Sequence, residues 1–235
     1  MRNISGGTEE IIAELRHRLD LTWQDLMTAV ACFEIFRVAA RDKTLLDRLG
    51  KSFSTGAFNA IRNSLYREVV LALMRIWDKS PKNNLRMEEI ILNLTRSEVV
   101  ASIKRRRREA FGDMGHNADA AEAQVEREIR QIKFIQNRIM RGSLRNAFKA
   151  LEKHRNEFLA HSTLGRSSAS EIRDVVYGDE RYLLRWSAIL SKKLNLLLDL
   201  HTSPRSDFRD FKIAAKCFWG PVRAETVEER KAARS

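Results

Sequence analysis

Proline is nearly missing from this chain, three in 235 residues, and no stretch alternates apolar and polar side chains as a half-buried strand would. Both absences argue against a sheet and leave helix-spaced apolar residues as the organising signal. Cysteine is equally scarce. Cys32 and Cys217 supply neither a disulfide framework nor metal-ligand spacing, and each sits in apolar company as a reduced, small hydrophobe would. No apolar run approaches the roughly 20 residues of a membrane span. The segment Met1 to Gly7 has no apolar stretch suited to a signal peptide, so a soluble cytoplasmic protein with no membrane partner is expected. There is no Gly-rich phosphate loop, no His-Glu-x-x-His, no Cys-x-x-Cys and no Gly-x-Ser-x-Gly. Acidic residues are dispersed along helix surfaces rather than gathered as a two-metal site requires. Neither a metal nor a cofactor is expected.

What the chain does have is positive charge. Forty-three Lys and Arg stand against 31 Asp and Glu, a net +12. Such a surplus favours polyanionic partners, nucleic acid before anionic membrane. Well-solvated Arg-rich helix faces would produce the same balance without any partner.

Apolar spacing maps the helices. Thr8 with Glu9 and Glu10 opens the first in the manner of an N-cap followed by an acidic turn. Its seam is Ile12, Leu15, Leu19, Trp23, Leu26, Val30 and Phe33. After a break at Gly50–Gly56, a second helix carries Ile61, Leu65, Val69, Leu73 and Ile76, and ends before Pro81. A third runs from Leu85 to about Phe111, with a break at the capping-box pattern Thr95-Arg96-Ser97-Glu98. The fourth runs from about Ala118 to His161 on Val125, Ile129, Ile132, Ile135 and Ile139, then Leu144, Phe148 and Leu151, with Gly142-Ser143 as a kink. The last follows Tyr177-Gly178-Asp179 on Leu183, Trp186, Leu190, Leu194 and Leu197. The expected architecture is all-α, an up-and-down bundle of about five helices over 8–202, then a short helical or frayed tail over 203–235. Trp23, Trp77 and Trp186 fall on or beside seams and read as core rather than as base-stacking platforms.

Two stretches carry candidate chemistry. Lys104-Arg105-Arg106-Arg107-Arg108 is a candidate RNA-binding patch; as cations near a helix C-terminus they would equally complement its dipole. The other is His154-Arg155-Asn156-Glu157-Phe158-Leu159-Ala160-His161, which closes the long helix before a Ser/Gly-rich loop over 162–170. RNA carries its own nucleophile, the 2′-hydroxyl. A neutral imidazole at His161 can take that proton, and the Arg155 guanidinium can stabilise charge building on the phosphate, with Asn156 as an orienting hydrogen-bonder. Cleavage by this route leaves a 2′,3′-cyclic phosphate. His154, two turns before His161 on a similar face, would support RNA in the same groove. On a helix, six residues separate Arg155 and His161 by roughly 9 Å along the axis and about 120° around it. One copy is therefore incomplete, and a two-fold homodimer would assemble two Arg and two His around one groove. On spacing alone, a surface ion pair of Arg155 with Glu152 and a helix-capping His161 remain open.

The segment Lys153 to Ser162 resembles the signature of the HEPN superfamily, and within it the chain is similar to the abortive-infection AbiU-type branch. Leu71-Ala72-Leu73-Met74-Arg75-Ile76-Trp77-Asp78-Lys79, Leu85-Arg86-Met87-Glu88-Glu89-Ile90 and Tyr177-Gly178-Asp179 occur in the similar order, so the likeness spans about Leu15 to Leu200. The resemblance implies a metal-independent endoribonuclease of phage-defence or toxin–antitoxin type, acting as a homodimer on RNA, with a cognate antitoxin as a possible partner. Arg155 and His161 take its catalytic positions and Asn156 the polar position after the Arg. Members silenced by a nucleotidyltransferase antitoxin carry a tyrosine two residues after the His; here that position is Thr163. Other members only bind RNA or nucleotide, which leaves a non-catalytic helical dimer as the alternative.

Overall fold

A computed structural model describes residues 7–50, 52–77, 87–113, 118–142, 144–160, 178–199, 208–226 and 229. Among them there is no strand. The helices are α1 (Thr8–Arg41), α2 (Lys43–Leu49), α3 (Ser54–Trp77), α4 (Met87–Leu94), α5 (Ser97–Asp113), α6 (Ala118–Met140), α7 (Arg145–Ala160), α8 (Asp179–Asp199) and α9 (Phe208–Trp219). The all-α class agrees with the sequence pattern, but the described residues hold nine helices rather than about five.

The extra helices come from local backbone chemistry that periodicity does not register. Gly50 ends α2 at φ +49°, a conformation costly for any residue with a Cβ, and its N–H bonds to the Leu46 carbonyl. Asp42 caps the other end, its Oδ1 accepting from the Leu45 N–H at 3.2 Å. The expected kink at Gly142 is a full break between α6 and α7. The Arg141 and Gly142 N–H groups both bond to the Asn137 carbonyl, so the chain tightens until a Cβ at 142 would stand 3.0 Å from the Arg138 Cα. Likewise the third helix divides into α4 and α5. Its capping box forms differently from the pattern: the Thr95 hydroxyl turns back to the Leu92 carbonyl, while Glu98 bonds Ser97 and Arg96. At the start of α1, Gly7 rather than Thr8 holds the cap position: its carbonyl accepts from the Ile11 N–H and its own N–H bonds Glu10.

The chain forms two compact units, Met1–Leu26 with Ala72–Arg205, and Met27–Leu71 with Ser206–Ser235. In the first, α6 packs against α4, α5, α7 and α8, and α7 also lies on α8. Leu15, Leu19, Leu73, Ile76, Val125, Ile132, Ile139, Leu151, Leu183, Leu190 and Leu194 are buried, as their seams predict. Trp77 is buried too, and its indole N–H donates to the Ser187 Oγ at 2.8 Å.

In the second unit the core is Val38, Ala39, Leu45, Leu49, Phe58, Ala215 and Trp219. Trp219 donates its indole N–H to the Ile35 carbonyl and meets Phe58 edge-on at 5.2 Å. Ile61, placed on a seam by spacing, is exposed here. Cys217 is exposed as well and Cys32 half-buried, its thiol pushed up by burial and by Glu68; both are free. The chain beyond Pro221 is held in place as far as Thr226. The Ala224 N–H bonds the Arg48 carbonyl, and the Glu225 carboxylate accepts from the Phe53 and Ser54 N–H groups and from the Ser54 hydroxyl. That carboxylate satisfies orphan donors at the start of α3, a contact 171 residues away in sequence. Among the described residues, no helix is long and apolar enough to cross a membrane.

Candidate functional site

Helix α7 buries Ala147, Phe148, Ala150 and Leu151 and carries His154, Arg155 and Asn156 into its last described turns. His154 and Arg155 lie three and four residues after Leu151, next to the buried column, and both are half-buried; Asn156 is exposed. The Arg155 guanidinium donates from Nε and Nη2 to the Asn156 Oδ1, at 3.1 and 3.0 Å. These bonds engage the Nε–Nη2 edge of the guanidinium, whose planar donor fork is the property that suits arginine to a phosphate. Glu152, the ion-pair partner that spacing offers for Arg155, receives the Lys149 ammonium at 2.8 Å. His161, Tyr177 and the loop over 162–170 lie outside the described residues.

The basic run on α5 is placed quite differently from a bare cationic patch. Lys104 bonds Glu126 at 2.6 Å and lies 3.8 Å from Glu122; Arg108 also pairs with Glu122. The Lys104 hydrogen bond holds the Glu126 carboxyl below its ordinary range. Arg105 and Arg106 both approach Glu9, at 3.9 and 3.4 Å. Arg107 is only 1% exposed, paired with Glu128 at 2.9 Å and bonded to the Leu196 carbonyl at the end of α8. Burial removes Arg107 from any RNA-facing set, and each of the other four has a carboxylate within 4 Å. A cavity of about 620 Å³ beside this network is lined by Glu9, Glu10 and Glu98 together with Arg105, a poor match to a polyanion.

A second cationic surface was not apparent from residue spacing. From Ile129 to Gly142 the chain has Arg130, Lys133, Arg138 and Arg141 and no acid; from Arg181 to Leu198 it has Arg181, Arg185, Lys192 and Lys193 and no acid. The fold lays these stretches side by side. The Arg138 guanidinium covers the Trp186 ring at 4.7 Å, and Lys193 donates to the Gln131 side-chain oxygen, which sets α6 and α8 antiparallel. Phe134 lies between these contacts on α6 and Tyr182 one turn before Trp186 on α8, with 62% and 57% of their surface exposed. Trp186, on a seam by spacing, is half-buried beneath Arg138 rather than enclosed. The sequence signal for this face is the double lack of acids, which a search for clustered cations passes over.

Among the described residues, no three His, Cys, Asp or Glu side chains come together to hold a metal ion. No match was found among curated proteins or among solved structures. The family model described as AbiU2 matches residues 12–215, a span that takes in α7 with Arg155 and Asn156 and extends through His161. With most of the chain covered, this helical protein belongs to the AbiU2 family of HEPN domains.

Proposed function

We propose that the protein is a metal-independent endoribonuclease of abortive infection or a toxin–antitoxin pair. In this reading His161 takes the proton from a ribose 2′-hydroxyl, and the 2′-oxygen attacks the adjacent phosphorus. The bond to the 5′-oxygen of the next nucleotide breaks, so that this oxygen leaves as a hydroxyl on taking up a proton and a 2′,3′-cyclic phosphate remains. Arg155 balances the charge that builds on the phosphate oxygens, and Asn156 orients Arg155. The observation that carries the reading is the Arg155–Asn156 hydrogen-bonded pair on α7, within the family-matched span that also contains His161. A homodimer supplies the second Arg and His, and a cognate antitoxin is a further proposed partner.

The experiment is incubation of the purified protein with total tRNA in EDTA, beside His161→Ala, followed by end-group analysis. Cyclic-phosphate ends from the parent protein alone are the expected result. Equal cutting by the variant removes the role given to His161. RNA bound but never cut would favour the second reading, a non-catalytic dimer, which the acid-free cationic face of α6 and α8 also suits.

A further inference from the structure

We infer that the α6–α8 face is a docking surface for single-stranded RNA, remote in sequence from Arg155 and His161, with Phe134 and Tyr182 as base-stacking platforms. The inference rests on the reading that RNA is the partner, and it adds where and in what form the strand is held. Two contacts set the register: Arg138 over Trp186, and Lys193 to Gln131. Seven residues forward on α6 correspond to seven backward on α8. On that register Tyr182 lies opposite Gly142, and Phe134 opposite Leu190, so the two exposed rings are about 12 Å apart along the helices. Each ring stands among cations: Phe134 shares its helix face with Arg130, Arg138 and Arg141, and Tyr182 is followed one turn later by Arg185 and Trp186.

Charge identifies the occupant. Both stretches lack a carboxylate, and among the described residues Arg141, Arg181 and Arg185 form no ion pair. Arg130 lies 3.9 Å from the Glu126 carboxylate, with both side chains more than half exposed. On the α5 run, by contrast, each cation has a carboxylate within 4 Å, and Arg105–Glu9 is as loose as Arg130–Glu126. A second copy of the chain is a poor occupant, because a two-fold contact would set the same cations against themselves. A polyanion that also offers flat apolar faces fits both features, and single-stranded nucleic acid is such a molecule. An A-form duplex hides its base faces and would leave both rings unused.

The test separates binding from cleavage. A short fluorescein-labelled 2′-O-methyl single strand cannot be cut by 2′-hydroxyl attack, so its anisotropy reports docking alone. Phe134→Ala and Tyr182→Ala should each weaken binding about five- to a hundredfold. Phe134→Tyr and Tyr182→Phe should bind as the parent does. Arg138→Gln and Arg141→Gln should each lower the slope of log affinity against log salt by about 0.7. Alanine variants that keep their helicity and bind like the parent overturn the proposal, as does a duplex bound as tightly as the single strand. Capture by anionic vesicles with the single strand ignored also overturns it. If the single strand binds as stated while tRNA stays intact, the ribonuclease reading fails and this face stands. If tRNA is cut and the ring variants bind unchanged, the face fails alone.

Discussion

Arg107 and Glu128 form an ion pair at 2.9 Å inside the protein, joining α5 to α6, with both side chains almost fully removed from water. The arginine also reaches the Leu196 carbonyl at 2.8 Å, so it answers an orphan acceptor in the last turn of α8. Gln124 supports the pair from the other side, donating to Glu128 at 3.1 Å. Removing one partner of such a pair strands the other charge in the interior. Arg107→Ala should therefore cost about 3–5 kcal/mol of stability. The check is urea unfolding at neutral pH; a loss below about 1 kcal/mol would show that the pair is not what ties α5, α6 and α8 together.

Glu225 gives a prediction in pH. Hydrogen bonds from the Phe53 and Ser54 N–H groups and the Ser54 hydroxyl bring its carboxyl down to about 2 from an ordinary 4.5. The folded value is the lower one, so the contribution to stability is complete above about 4.5 and is lost as pH falls toward 2. Glu225→Gln should lower Tm near neutrality, and the gap to the parent should close through that acid window. A constant gap from pH 7 to pH 2 would refute the carboxylate's role.

The Asn156 amide offers a test of positioning. If its oxygen sets the plane of the Arg155 guanidinium, Asn156→Ala should lower kcat for RNA cleavage by about tenfold or more with KM little changed. Asn156→Asp keeps an acceptor at the same place and should recover most of that loss. Single-turnover cleavage in EDTA measures both. Equal rates for the two variants would mean that the amide oxygen does not orient Arg155.

Buried Trp77 makes a simpler demand. Its indole N–H has the Ser187 Oγ at 2.8 Å, and Ser187→Ala would leave that donor unpaired in the core. The expected cost is about 1–3 kcal/mol, read from urea unfolding. Ser187→Thr retains the hydroxyl and adds a methyl at a fully buried position, so it separates the hydrogen bond from packing.

The all-α class, most of the buried seams of α1, α6 and α8, the breaks near Gly50 and Ser97, and the AbiU-type segment around Arg155 were legible in the amino-acid order, whereas Gly142 read as a kink and is a helix break. Each depends on residues within a turn or two of one another, where helical spacing, a missing Cβ or a capping side chain acts directly. The fates of the cations were not legible. Lys104 to Arg108 read as one patch, yet Glu9, Glu122, Glu126 and Glu128 come from α1 and α6 to meet them. Arg138 finds Trp186, and Glu225 finds Ser54, from positions 48 and 171 residues apart. A charge run has no property of its own that says whether acids will face it. That depends on which helices become neighbours, and so only the tertiary structure decided where this protein keeps its positive charge exposed.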